Sequence, residues 1–466
     1  RAPPSSPSNQ QMAAIASVGV PALRTGAVLT ASSRGPVARA GVGSRQRVSI
    51  PVQRLVKPFV TGRRAPGFGV RAGAVAYDDL TPSGLHGKAM QFPSKDDFPT
   101  RAEVLSNVPE ECFVKDTAKS LMYAAISTAI TVGCGVLAYL FIPMQLSFWP
   151  VWLAYAAVTG TVATGCWVIA HECGHNAFSD NRLIQDSVGY VLHSLLLVPY
   201  FSWQRSHAVH HSRTNHLTEG ETHVPYVKGE TKGTMNLNVK DSIGEGPFAI
   251  VQLFAHLVFG WPAYLLTGAT GGSARGITNH FLPNVNTGPM ELFPGSWKAK
   301  VWKSDVGVAA VVAALAFWVS QTSFATVFAL YFGPYMFVNV WLVLYTWLQH
   351  TDTDVPHLAS SEWSYIKGAF LTIDRPYGAV FDFLHHRIGS THVAHHVDCT
   401  IPHYHAVQAT EALKNTYPDL YLYDPTPIAE AAWRVAAKCV AVEPRGEGKD
   451  TVWVFTDKKE PRVAPA

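Results

Sequence analysis

The sequence predicts an all-α integral membrane protein, with about four transmembrane helices and a helical, histidine-rich cap. Three observations carry that prediction. Long uncharged apolar runs recur along the chain. Only 15% of residues are charged while 48% are hydrophobic, against roughly 25% charged in an average soluble protein. Histidines recur at helical spacings beside or between the apolar runs. The 13 tryptophans and 17 tyrosines suit the two membrane–water interfaces. At 466 residues the chain exceeds the usual single-domain size, yet no long polar linker divides its middle. One large body behind an N-terminal extension is therefore expected.

Residues 1–77 hold 11 of the 37 Lys and Arg and none of the 33 acidic residues. They are rich in Ala, Arg, Ser, Val and Gly and lack an apolar run long enough for a secretory signal or a span, which is the composition of a transit peptide. The competing reading is an ordinary disordered tail. Met12 is the first methionine, so residues 1–11 are expected to precede the true start. Residues 78–117 read as a polar lead-in, 118–440 as the membrane domain and 441–466 as a tail. Without the basic extension the balance is 26 basic minus 33 acidic, or −7, and such a body offers no concentrated positive charge for nucleic acid. The six cysteines lack paired CxxC spacing, which argues against a disulfide framework or a thiolate zinc site.

Residues 121–142 form an uncharged run of 22, and at about 1.5 Å per residue that covers a hydrocarbon core of about 30 Å. Residues 148–170 form a second run that ends against His171. Residues 306–319 and 324–348 form a second pair, the latter interrupted by Pro334 and Asn339, which neighbouring helices can satisfy. Two further stretches, 188–200 and 248–266, are expected to be interfacial or half-inserted. Parity favours this reading, because an even number of crossings between the histidine clusters leaves them all on one side of the membrane.

The clusters read His171-Glu-Cys-Gly-His175, His207-Ala-Val-His210-His211 and His392-Val-Ala-His395-His396. On a helix, positions three and four apart share a face, so each cluster can offer two or three imidazoles to one point. Eight imidazoles exceed the four ligands of a structural zinc. Two metals, and iron in particular, suit such nitrogen-rich sites with open positions. His350, at the end of the last run, is a candidate ninth ligand. Glu172, Asp374 and Asn215 are candidates for orienting the rings, while His216, His385, His386, His403 and His405 are expected at the surface or behind the ligands.

The segments 167–179, 198–207 and 391–396 resemble the membrane-bound fatty acid desaturase family, and the resemblance extends from about residue 105 to 453. It implies that the eight box histidines, with His350, ligate two iron ions, and that a fatty-acyl chain is oxidised with dioxygen and external electrons. The similarity is to the plant and algal acyl-lipid branch. Residues 112–116, 362–368, 372–375, 385–389 and 401–405 look like omega-3 enzymes, whereas the middle of the chain looks like delta-12 enzymes. Combined with the basic extension, this implies a chloroplast membrane omega-3 desaturase acting on glycerolipid-bound linoleoyl-type chains; the alternative is a delta-12 (omega-6) oleate desaturase. The resemblance implies ferredoxin as electron donor in a plastid, or cytochrome b5 otherwise, since the chain carries no fused His-Pro-Gly-Gly haem signature. The second box departs from the family in carrying Ala208 and Val209 where polar residues are usual, which bears on substrate rather than on metal. A hydroxylase on the same scaffold and a metal-binding membrane transporter are the competing functions. Against the transporter, the boxes lie outside the apolar runs rather than at mid-membrane.

Overall fold

The computed structural model describes residues 83–446, 448 and 451–456. The transit-peptide reading of residues 1–77 and the start at Met12 lie outside the described residues. Among the described residues five helices are long and apolar enough to cross a membrane: Thr117–Phe141, Leu146–Gly174, Glu245–Thr267, Trp297–Gln321 and Phe324–His350.

The first span, α1 (Thr117–Phe141), begins at Asp116, whose carboxylate accepts the Lys119 amide at 3.0 Å and so satisfies one of the free amides of the first turn. Val132, Leu137, Leu140 and Phe141 on α1 face outward, an apolar surface that water would penalise and lipid accommodates. The second, α2 (Trp149–Gly174), opens with Pro150 in its first turn, where no amide is lost. It is the buried centre of the bundle, packed against α1 and the last span. Crucially, α2 does not stop at the end of its apolar run. It carries on through His171 to Gly174, so the first histidine box rides on the end of a span.

Beyond it lie α3 (Arg182–Leu195) and α4 (Tyr200–Ser212), the latter carrying the second box. Between them Leu197 adopts φ 54°, so the 188–200 stretch is a helix end and a corner rather than a crossing. Further on, α5 (Glu245–Phe254) passes through a π-helical turn, Ala255–Phe259, into α6 (Gly260–Thr267). Both ends of this apolar segment are held on the histidine side. Ala249 of α5 packs against Ala431, Ala432 and Val435 of a C-terminal helix. After α6, the Gly272 and Ala274 amides donate to the Gly220 and Thr218 carbonyls just beyond the second box. With both ends anchored on one side, the segment fits the half-inserted expectation, and the other four candidate spans keep the parity between the boxes even.

The run at 306–319 proves to be the middle of a 25-residue helix, α7 (Trp297–Gln321). The last span passes a π-helical turn at Phe328–Phe332 and ends in α8 (Gly333–His350). The third box forms the short helix α9 (His392–Val397), followed by α10 (His403–Thr416) and α11 (Ile428–Lys438).

The fold is helical as expected, with one addition. Short strands β1 (Tyr226–Val227), β2 (His357–Leu358), β3 (Ala441–Arg445) and β4 (Val452–Phe455) form a sheet in the order β1-β3-β4-β2, with β1 parallel to β3 and the other pairs antiparallel. Strands of two to five residues carry too little alternation to be read from sequence.

Candidate active site

Nine histidines converge at the cap-side ends of α2 and α8. His171, His175, His207, His211 and His395 each offer a nitrogen, and these nitrogens lie within 4.8 Å of one another; those of His210, His350 and His396 form a second such group. His392 joins the second group, its Nε2 3.0 Å from that of His350. In the first group the Nε2 of His171 lies 3.2 Å from that of His175 and 3.0 Å from that of His207, and the Nε2 atoms of His207 and His211 are 3.2 Å apart.

The division runs through the boxes. His207 and His211, four apart on α4, point one way, and His210 points to the other group. On α9, His395 and His396 likewise part company, the former to the first group and the latter to the second. Each HxxHH box therefore serves both groups. Trp203 stacks on His207 at 4.5 Å between ring centroids. It comes that close because residue 174 is glycine, where a Cβ would stand 2.6 Å from the Trp203 ring.

Burial pushes His210 and His395 down to about 3. Burial and neighbouring imidazoles together hold His207, His211, His392 and His396 well below the usual value. The rings are thus neutral near pH 7, with lone pairs available to a metal. A donor set made only of nitrogen, in two adjoining groups, fits two iron ions. It is more than one tetrahedral zinc can use.

Against this centre lies a cavity of about 430 Å³, lined by Trp167, Trp203, His207, Trp261, Leu342 and Trp347 among others. Its lining is mostly apolar along α5–α6 and α8, and His207, His223 and His256 bring imidazoles to it. Its volume is within the range of small-molecule sites.

The fatty acid desaturase profile matches residues 146–426, which include every one of these histidines. The chain is 38% identical over 365 residues to the delta(12) fatty acid desaturase of Calendula officinalis, covering 77% of this chain and 91% of the relative. It is 39% identical over 358 residues to the delta(12)-fatty-acid desaturase of Arabidopsis thaliana, covering 75% and 90%. It is 37% identical over 365 residues to the oleoyl-12-hydroxylase of Ricinus communis, covering 76% and 89%. The chain belongs to the fatty acid desaturase family.

Which residues support the rings of this desaturase differs from the sequence expectation. Asp374 acts on α9 through its backbone: its carboxylate accepts the Val393 amide at 2.9 Å and the Tyr421 hydroxyl at 2.7 Å. Burial pushes that carboxyl up to about 6, the two hydrogen bonds acting in the other direction. Glu172 does not reach a box histidine; both its oxygens are taken by His403, through the backbone amide and the ring Nδ1, each at 2.6 Å. Asn215 donates to the Leu371 carbonyl at 2.9 Å and orients no ring. Of the five histidines expected at the surface or behind the ligands, His216, His385, His386 and His403 are buried and only His405 is partly exposed. His385 bridges the Tyr345 hydroxyl and the Thr161 carbonyl at 2.8 and 2.7 Å, joining α8 to α2.

Two side chains that sequence reasoning missed belong here. Thr214 Oγ1 lies 2.8 Å from the His210 carbonyl and 3.1 Å from His396 Nδ1. It donates to the first and accepts from the second, leaving His396 Nε2 as the free lone pair. The position, four residues after His210, was the available signal. His223 lies parallel to His350, with centroids 5.4 Å apart, and lines the cavity. Its left-handed backbone, φ 57°, is pinned by Thr270, whose hydroxyl accepts the His223 amide at 3.2 Å. A lone histidine outside any box carries no sequence signal of this placement.

Behind His350, Arg375 and Arg434 form a wholly or largely buried network with Asp352 and Asp424. Arg375 also donates to the Leu348 carbonyl at 3.1 Å, and so clamps the end of α8.

Proposed function

We propose that this desaturase is a delta-12 (omega-6) enzyme that introduces a cis double bond into an oleoyl-type chain of a membrane glycerolipid. The omega-3 expectation gives way because the relatives at 38–39% identity bear delta(12) or omega-6 names, among them the omega-6 endoplasmic reticulum desaturases of Brassica juncea and Glycine max. The observation that carries the acyl substrate is the apolar cavity ending at His207 and His223.

In this reading His171, His175, His207, His211 and His395 hold one iron, and His210, His350, His392 and His396 the other. Bound iron supplies the dioxygen-derived oxidising power that removal of hydrogen from unactivated methylenes requires. The protein's own part is positional. Trp203, packed on His207, and Trp167, on His171, wall the acyl chain from water. Thr214 and Asp374 fix the third box, and the Arg375 network fixes His350. The lipid-facing span surfaces keep the substrate's bilayer next to the site.

Electrons come from an external carrier, ferredoxin for a plastid enzyme and cytochrome b5 for one of the endoplasmic reticulum. The acid-free residues 1–77 support the first location and the names of the relatives the second. Imaging of a full-length fluorescent fusion separates them.

Expression in yeast fed separately with oleate and linoleate tests the reaction. Conversion of oleate to linoleate is expected. Conversion of linoleate alone would return the omega-3 assignment. Accumulation of a hydroxy-acyl product without a new double bond would favour a hydroxylase, a reading to which the Ricinus communis relative lends support.

A further inference from the structure

A small cavity of about 20 Å³ borders the first histidine group and shares no lining residue with the acyl cavity; His171, Glu172, His386, His395 and His403 line it. Its polar atoms have a defined polarity. The Glu172 carboxylate accepts from His403 Nδ1 at 2.6 Å, so Nδ1 carries the proton and His403 Nε2 is an acceptor. That Nε2 is fully buried and has no protein partner. His171, which also lines the cavity, turns its Nε2 toward His175 and His207. If that nitrogen offers its lone pair to a metal, Nδ1 must carry the proton. His171 Nδ1 is likewise buried and has no protein partner. A buried donor and a buried acceptor thus border one cavity, and a polar group left unsatisfied in the interior is unfavourable.

We propose that this cavity is a binding site for a single water molecule, which accepts from His171 Nδ1 and donates to His403 Nε2, and that Glu172 and His403 are positioning residues for the His171 ligand. The space exceeds the roughly 10–15 Å³ that one water needs, and two or more polar partners are available. Metal-ligating histidines ordinarily donate their second N–H to a carboxylate, a carbonyl or a water. Here the carboxylate acts at one remove, through Glu172, His403 and the water. This accounts for Glu172 standing next to a ligand in sequence without touching one. Ser127 and Tyr123 pack on two lining residues: the Ser127 hydroxyl is 3.0 Å from His386 Nε2, and the Tyr123 ring meets His403 edge-on at 4.5 Å.

The inference rests on the iron-site reading, and its test separates the two. Cryo-electron microscopy of the full-length enzyme in nanodiscs, prepared without iron, is expected to show density within hydrogen-bond distance of both His403 Nε2 and His171 Nδ1. A dry cavity, or His403 Nε2 turned to a protein acceptor, overturns the water site whatever the metal does. Iron titration of the purified full-length enzyme gives the second readout. Glu172→Gln and His403→Phe are expected to weaken binding at one of two sites by about 10–100-fold while the thermal unfolding midpoint of the iron-free protein holds. His403→Gln, which keeps an acceptor oxygen, is expected to lose less. Iron binding unchanged in Glu172→Gln, or lost equally from both sites, overturns the positioning role; should His403→Phe not fold, Glu172→Gln and the density decide. Wild-type iron binding in His171→Ala would instead defeat the underlying site assignment.

Discussion

His211 and His396 lie face to face, their ring centroids 4.0 Å apart and their planes within 14° of parallel. The first belongs to the five-histidine group and the second to the smaller one, so this stack is the seam between the two candidate metal positions. It brings together the second and third boxes, which the chain separates by most of the membrane domain. Loss of either group should disturb the other.

From that seam, His395→Ala and His396→Ala are expected to behave differently in metal content and alike in activity. Each should lose iron from one group, and desaturation should fall by more than about 100-fold in both. Iron analysis beside fatty-acid profiling reads the two effects. Retention of both irons with full activity in either variant would remove that histidine from the ligand set. Chelation should abolish activity in the wild type, with iron but not zinc restoring it, since zinc cannot change oxidation state.

Thr214→Val keeps the volume of a buried side chain and removes the hydroxyl between the His210 carbonyl and His396 Nδ1. Iron affinity is expected to drop by about 10–100-fold, with a stability loss of about 1–3 kcal/mol for the unsatisfied ring N–H. Titration of the purified variant checks the first figure and thermal unfolding the second. An unchanged affinity would show that packing alone orients the His396 ring.

Arg375→Met leaves Asp352 and Asp424 buried with Arg434 as their one remaining partner in the network. Breaking one side of a buried pair costs about 3–5 kcal/mol, so the variant should melt well below the wild type in detergent or fail to accumulate. The network also sets an acid limit. Burial alone would raise the Asp424 carboxyl, but Arg375, Thr426 and Arg434 outweigh it and hold it below the ordinary range. A carboxyl depressed in the folded state adds stability above its unfolded pKa and loses it as pH falls through the folded one. The melting temperature of the wild type should therefore fall on acidification below the usual carboxylate range, and less steeply in Asp424→Asn.

Val343→Phe extends a ring from α8 into the acyl cavity. Acyl chains of ordinary length should be converted poorly while shorter ones are converted better, as gas chromatography of lipids from a yeast host would show. An unaltered chain-length profile would place the substrate elsewhere.

His223→Phe removes the cavity-side imidazole beside His350 without emptying the space. Iron content should stay at the wild-type level and the ratio of products should change. Loss of iron would make His223 a tenth ligand instead.

The sequence alone made legible the long apolar runs and the nine histidines that the fold brings together. Runs of apolar residues long enough to span, and histidines three and four apart, are local signals. They survive without knowledge of what packs against them, and His350 could be added because a polar ring at the end of a span has few other uses. The tertiary structure decided the rest. The division into two groups depends on how α4 and α9 approach α2 and α8, which no spacing within a box contains. Where the two ends of 245–267 are anchored is a fact of packing that its hydropathy does not contain. Thr214, His223 and His403 acquire their places from residues up to 231 positions away, as in the Glu172–His403 pair. A hydrogen bond between such distant residues depends on a closure that local periodicity does not encode, so it becomes visible only once the chain has folded.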